Sequence, residues 1–197
     1  MIGPMDGVNG FVLAGGQSRR MGSDKAFVSV NGHTLLERAI RTISDVAGAV
    51  WIVGSREKFD AYGNVVEDEF PDHGPLGGIH AALRASQEDL NLILAVDLPF
   101  MEARFLKYLV QRARDAAVMV TVPRAGGRWQ PLCAVYRRDF AEVAELALQA
   151  SANKIDPLFR QVPLQVIEEL ELQEHGFAPE MFRNINTPEE LGSARLA

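Results

Sequence analysis

Thirteen consecutive residues, Leu13-Ala14-Gly15-Gly16-Gln17-Ser18-Arg19-Arg20-Met21-Gly22-Ser23-Asp24-Lys25, combine glycines and cations in an order suited to polyphosphate. Paired glycines let the backbone approach an anion and turn its N–H groups inward, because no side chain intervenes. Arg19, Arg20 and Lys25 add three positive charges within seven positions. A triphosphate spreads negative charge over many oxygens, so it calls for amide donors together with mobile cations. The segment is not a P-loop: counting five positions from Gly16 reaches Met21 where glycine is required, and the lysine comes late. It is not the dinucleotide fingerprint either, since Gln17 stands where the second glycine belongs. A glycine-rich surface turn with solvated arginines is the plainer alternative.

Other stretches hold residues of interest. Asp97 closes the apolar run 92–96 and precedes Leu98-Pro99-Phe100. A carboxylate there suits Mg²⁺, which takes one or two carboxylates and completes its shell with phosphate oxygens; an Asp capping the following helix fits the position as well. Glu67-Asp68 leads into Phe70-Pro71-Asp72-His73-Gly74-Pro75-Leu76-Gly77-Gly78, which also reads as an acidic loop with a proline turn. Arg128-Trp129-Gln130-Pro131-Leu132 follows Gly126-Gly127, with Trp129 open to a packing role. The histidines build no zinc site: His73 and His80 are too widely spaced on one helix, and Cys133 lacks a neighbouring ligand. They read as ordinary loop and surface residues. A Gly-x-Ser-x-Gly nucleophile elbow is absent as well.

These residues need elements to position them. Apolar runs at 11–14, 49–53, 92–96, 117–122 and 132–136 are continuous rather than alternating, as in strands buried on both faces. Between them Leu35, Leu36, Ala39, Ile40 and Ile43 recur at helical spacing, as do Phe105, Leu106, Leu109, Val110 and Ala113. Thr34-Leu35-Leu36-Glu37 is a capping-box pattern, and Thr187-Pro188-Glu189-Glu190 repeats the signal with proline at the first helical position. Further helices are expected over 77–86 and 138–148. Alternating strands and helices predict a mostly parallel sheet covered on both faces. In such folds ligands bind beyond the carboxyl ends of the strands, where the segments above would lie.

The 197 residues suit one domain, with no repeat or linker to divide it. A chain this long buries roughly 70% of its unfolded surface, so a core forms without staples. A net charge of −6 argues against general duplex binding while leaving room for a local cationic pocket. Cys133 is the lone cysteine and makes no internal disulfide, which fits a reducing compartment. No apolar run nears the ~18 residues of a membrane span, and the first residues lack a signal peptide's basic and apolar regions. A soluble cytoplasmic domain without nucleic-acid or membrane partners is expected.

The segment Leu13–Lys25 resembles the L-A-G-G-x-S-x-R-M-G-x-D-K signature of the molybdenum cofactor guanylyltransferases (MobA) and, more loosely, the wider Rossmann-like nucleotidyltransferases. Relatives using CTP share the R-M-G segment but usually begin Ala-Ala-Gly. Further matches follow in order: E-D…G-P-L-x-G over Asp68 and Gly78, C-D-x-P-F over Asp97 with Val96 replacing Cys, R-x-x-[HQ]-P over Arg128, and N-x-N-T-P-E-[DE]-L over Asn184 and Asn186. The resemblance implies a three-layer α/β/α fold with a nucleotide-binding half at about 8–100 and an acceptor half at about 101–197. It implies transfer of GMP from GTP to molybdopterin or its molybdenum-loaded form, with release of pyrophosphate. Other cofactor-biosynthesis proteins and acceptor molybdoenzymes are the partners it suggests.

The site residues implied for the nucleotide are Leu13, Ala14, Gly15, Gly16, Lys25, Gly54, Asp68, Gly78 and Asp97. Arg19 and Lys25 would neutralise the α-phosphate and the departing pyrophosphate, and Asp97 would hold Mg²⁺, with Mn²⁺ a substitute. Gly54 stands where the family often has Asn, so a contact there must come from backbone. Arg128, Gln130, Asn184 and Asn186 are implied for the acceptor; alternation puts the two asparagines on one side, with Ile185 turned inward. A cytidylyl or other nucleotidyl transfer to a different phosphorylated metabolite, and a non-catalytic nucleotide-sensing module, are the competing readings.

Overall fold

A computed structural model of the chain describes residues 3–15, 24–71 and 73–185. In chain order the elements are β1 (Met5–Leu13), β2 (Ser29–Val30), β3 (His33–Thr34), α1 (Leu35–Ser44), β4 (Ala47–Val53), α2 (Arg56–Phe59) and β5 (Asn64–Val66). They continue with α3 (Pro75–Ala85), β6 (Leu90–Ala95), α4 (Ala103–Asp115), β7 (Val120–Ala125), β8 (Arg128–Trp129), β9 (Cys133–Arg137) and α5 (Phe140–Gln149). Last come α6 (Asp156–Phe159), β10 (Leu164–Ile167) and α7 (Glu169–Glu174); 3₁₀ turns occupy Lys25–Phe27 and Pro179–Phe182.

The main sheet runs β10-β7-β9-β6-β1-β4-β5, with β8 added beside β7. β6, β1, β4 and β5 are mutually parallel and β10 is parallel to β7, whereas β9 is antiparallel to both neighbours. Alternate side chains of β1 feed opposite cores. Val8 and Val12 join α1, α4 and the 177–185 segment on one face; Phe11 and Leu13 join α3, α5 and α6 on the other. Every residue of β6 is buried, as the unbroken apolar run predicts. The observed architecture is therefore a mostly parallel sheet flanked by helices on both faces.

Local signals hold where side chains act on nearby backbone. Thr34 accepts from the Glu37 amide at 3.1 Å and Glu37 accepts from the Thr34 amide at 2.7 Å, completing the capping box of α1. Other boundaries shift. The expected strand 117–122 is observed as Val120–Ala125, because 118–119 form a lead-in whose carbonyls accept from Arg137. Helices expected over 77–86 and 138–148 run Pro75–Ala85 and Phe140–Gln149. His80, expected at the surface, is 1% exposed, because α3 is covered by α5 and Phe70 packs edge-on against its ring. The Thr187-Pro188 helix start lies outside the described residues.

Candidate active site

From β1 the chain moves outward through β4 and β5, then returns to place β6 on the other side of β1. That reversal is a topological switch point, where connections splay apart and leave a crevice beyond the strand ends. Strand register defines its floor. Leu13 pairs with Val53 and with Ala95, and Val53 pairs with Val66, so the loops starting at Ala14, Gly54, Glu67 and Val96 leave from one edge.

The loop stems are stitched together. Ala14 and Gly15 both donate to the Val53 carbonyl at 3.0 Å, Val96 donates to Leu13 O at 3.1 Å, and Gly54 donates to Val66 O at 2.9 Å. Gly15 lies against Gly54: a side chain at 15 would meet the Gly54 Cα at 3.6 Å. Gly54 itself is hemmed in, because a Cβ there would stand 2.7 Å from the Phe59 ring. A side chain at position 54 would have to displace that ring.

Lys25 opens a 3₁₀ turn capped by Asp24, whose Oδ1 accepts from the Ala26 amide at 3.2 Å. Lys25 Nζ reaches across to Asp97 Oδ2 at 3.4 Å, and both side chains are 21% exposed. Asp97 does not cap the next helix: α4 begins at Ala103 with Glu102 as its N-cap residue. The Asp97 loop is held from two sides by groups that sequence reading did not single out. Arg38 Nη2 donates to Pro99 O at 3.1 Å, and Arg183 lies 4.6 Å over the Phe100 ring. A third hold comes from the C-terminal segment, where Ile185 N donates to Asp97 O at 3.1 Å. Ile185 is fully buried and Asn184 exposed, so Asn184 stands one residue from the anchor on Asp97.

Asp68 occupies the next bay along the edge. Its Oδ1 accepts from the Phe70 amide at 2.8 Å, and its carboxylate lies against the first turn of α3. Burial pushes its pKa above the ordinary carboxylate range, opposed by the Phe70 amide and by His80 and His73. The closeness depends on Gly77, where a Cβ would be 2.4 Å from Asp68 Oδ2. Gly78, which the motif highlights, has ordinary room: a Cβ there would meet Leu13 and Val53 at 3.5 Å. The glycine pair was visible in the sequence, but which member makes room for the carboxylate depends on the helix's rotation.

The proposed acceptor residues divide. Arg128 is exposed on the β7–β8 hairpin at the same sheet edge, two strands beyond β6. The hairpin turns through Gly126 and Gly127 at φ 60° and 71°, both left-handed as a two-residue turn of this kind requires. Gln130 does not direct its amide N–H groups outward; they donate to Ala125 O and Arg128 O at 3.1 and 3.4 Å and brace the hairpin. Trp129 packs edge-on against Phe159, a core role. Gly16, Arg19 and Asn186 lie outside the described residues.

Among the described residues there is no cluster of three or more His, Cys, Asp or Glu able to cage a metal. A lone half-buried carboxylate at the crevice is the donor set of a cation that shares its coordination with substrate oxygens and water, so Asp97 fits Mg²⁺-type binding. Cys133 is buried beside Met101, and burial raises its thiol pKa far above the usual range, which leaves it a poor nucleophile. No helix among the described residues is long and apolar enough to cross a membrane.

Comparison with known proteins bears on the family and the fold. A family model described as the MobA-like NTP transferase domain matches residues 10–165. A molybdenum cofactor guanylyltransferase from Desulfosudis oleivorans is 35% identical, covering 98% of this chain and 96% of its own length. A probable molybdenum cofactor guanylyltransferase from Clostridium perfringens is 33% identical, covering 91% of each chain. The crystal structure of molybdopterin-guanine dinucleotide biosynthesis protein A from Archaeoglobus fulgidus superposes with a TM-score of 0.83 at 26% identity, covering 95% of this chain and 97% of that one.

Proposed function

The chain belongs to the MobA-like NTP transferase family, and from that premise we propose that it transfers GMP from GTP to molybdopterin or its molybdenum-loaded form. The observation that carries the reading is the Lys25–Asp97 pair at the switch point, with Asp68 after β5 on the same sheet edge and Asn184 beside the Ile185 anchor on Asp97. The nucleotide half, about 8–100, supplies the first three; the acceptor half, about 101–197, supplies Asn184.

An acceptor phosphate oxygen attacks the α-phosphorus of GTP. The new P–O bond forms as the α–β bridging bond breaks, and pyrophosphate leaves with that electron pair. The nucleophile is already ionised at neutral pH, so no general base is needed. What the protein supplies is alignment and charge neutralisation. Lys25 pairs with phosphate oxygens. The Ala14 and Gly15 amides are bonded to Val53 O and fix the stem of the glycine-rich loop, and Arg19 would add charge. Asp97 would hold a divalent cation, Mg²⁺ or Mn²⁺ in its place, which would offset the charge of the nucleotide's phosphates. Asp68 and the α3 turn at Gly78 border the nucleoside, while Asn184 and Arg128 face the acceptor and Asn186 is assigned to it by the family motif alone.

A thermal-shift panel of GTP, CTP, ATP and UTP with Mg²⁺ tests the assignment. A ligand at ~100 times its dissociation constant stabilises by roughly 2.7 kcal/mol, a readily seen shift. Selective stabilisation by GTP, followed by pyrophosphate release on adding molybdopterin, is the expected result. A preference for CTP would move the reading to cytidylyl transfer, and binding without pyrophosphate release to a nucleotide sensor.

A further inference from the structure

The two stems of the glycine- and arginine-rich loop are fastened to the last residue of β4 and to the short segment that follows it. The first is tied through the Ala14 and Gly15 amides to Val53 O. The second is tied through Asp24, whose Oδ2 accepts from Lys58 Nζ on α2 at 2.8 Å while its Oδ1 caps the turn that begins with Lys25. Aromatic packing adds another link. Phe27, at the end of that turn, lies 5.8 Å from the Phe59 ring and 5.6 Å from Tyr62. Lys25 is thus bracketed by two residues that are each anchored on the α2 region.

The geometry points to Lys58 as a positioning residue for Lys25, acting through Asp24. This rests on the reading of Lys25 as a nucleotide ligand. The other cation of α2, Arg56, faces Asp60 and Glu67 at 3.9 and 3.6 Å, so Lys58 is the α2 cation that meets Asp24. An ionised carboxylate accepts hydrogen bonds only, and Asp24 is the immediate neighbour of Lys25. With Lys58 in place, the charge of Asp24 is matched from α2 and the Lys25 ammonium is directed to the crevice. Without Lys58, Asp24 competes with Asp97 and phosphate for that ammonium, and the turn loses its outer anchor. The pair is half-exposed on the lysine side, where ion pairs add little to stability. Its effect falls on placement rather than on folding.

GTP affinity with saturating Mg²⁺, measured calorimetrically on the full chain, tests this without the acceptor. Lys58→Met is expected to weaken GTP binding about tenfold, the order for losing a charge-assisted contact, with an unchanged melting temperature. Lys58→Arg, which can still reach Asp24, should restore binding. In an Asp24→Asn background, which keeps the cap acceptor and removes the competing charge, Lys58→Met should have no further effect. Binding by Lys58→Met within twofold of the parent overturns the proposal. So does an undiminished loss in the Asp24→Asn background, which would mean that Lys58 touches the triphosphate itself. Lys25→Met separates the two levels: if it abolishes binding while Lys58→Met stays within twofold of the parent, only the positioning role fails. If the parent chain does not bind GTP, the functional reading fails and the positioning role falls with it.

Discussion

Lys25 and Asp97 meet at 3.4 Å across the boundary between β1 and β6, although 72 positions separate them in the chain. The contact is a consequence of topology. β1 and β6 are adjacent parallel strands, and the residues after their carboxyl ends converge on the place where the chain reverses its direction of growth across the sheet. A cation and a carboxylate held there are each 21% exposed, which under the proposed function leaves them open to exchange each other for phosphate and metal.

Asp97→Asn and Lys25→Met should each lower pyrophosphate release by about 10²–10³-fold, the order seen when one preorganised charge or donor is removed from a transition state. Circular dichroism should show an unchanged fold, since a partly exposed ion pair contributes little stability. The two losses should differ in kind. Asp97→Asn should raise the Mg²⁺ concentration needed for half-maximal GTP binding, whereas Lys25→Met should weaken GTP at any Mg²⁺ level. Turnover within a few-fold of the parent in either variant would remove the pair from the reaction.

Gly77 and Gly78 offer an internal comparison. Alanine at 77 drives its methyl to within 2.4 Å of Asp68 Oδ2, so the carboxylate must swing away; alanine at 78 makes only 3.5 Å contacts. Alanine also favours the helix by roughly 1 kcal/mol over glycine. Gly78→Ala should therefore be neutral to mildly stabilising with GTP affinity kept. Gly77→Ala should keep its melting temperature and lose GTP affinity. Equal effects of the two on nucleotide binding would mean that Asp68 does not border the nucleoside.

Asp68 also predicts a pH signature. Desolvation raises its folded pKa above the unfolded value, so its contribution to stability is full below the unfolded pKa and falls as pH rises through the folded one. Asp68→Asn keeps an acceptor for the Phe70 amide and removes the charge. Its melting temperature should exceed the parent's at pH 7, and the difference should shrink toward zero as pH falls below the ordinary carboxylate value of 3.8. The gain should come with weaker nucleotide binding, the usual exchange of stability for function at a site. A variant less stable than the parent at pH 7 would place the hydrogen bond above desolvation.

Much of this site was legible because its residues sit at strand ends, and strand ends are marked by the passage from apolar run to polar loop. Leu13 and Asp97 follow from that rule, whereas the capped start of α1 follows from the Thr34–Glu37 pattern and the inward turn of Ile185 from side-chain alternation. Short or exposed elements gave no such mark. β5 is three residues long and β10 lacks a fully apolar run, so neither announces itself. Gln130 shows the other limit: a motif names a residue, yet only the hairpin's fold reveals that its amide is bonded to Ala125 and Arg128 carbonyls. Arg38, Lys58 and Gly77 were unmarked for the same reason, since each acts through a partner distant in sequence or through a direction set by helix rotation.

Gly54 joins the fold to the site and gives a sharp test. The Phe59 ring occupies the space a side chain at 54 would need, with a Cβ only 2.7 Å from its edge. Phe59 is 1% exposed and packed in the core, so it has little room to retreat. Gly54→Ala should therefore destabilise by about 1–3 kcal/mol, the usual effect of overpacking. Shrinking the ring in Gly54→Ala/Phe59→Leu should recover part of that loss, giving a double variant more stable than the sum of the single changes predicts. Val53, whose carbonyl holds Ala14 and Gly15, is the adjoining residue, so displacement at 54 is expected to reach the phosphate loop stem. Gly54→Ala should thus lose GTP affinity as well as stability, and the double variant should regain both. Recovery of stability without recovery of affinity would show that position 54 serves the nucleotide through its own backbone.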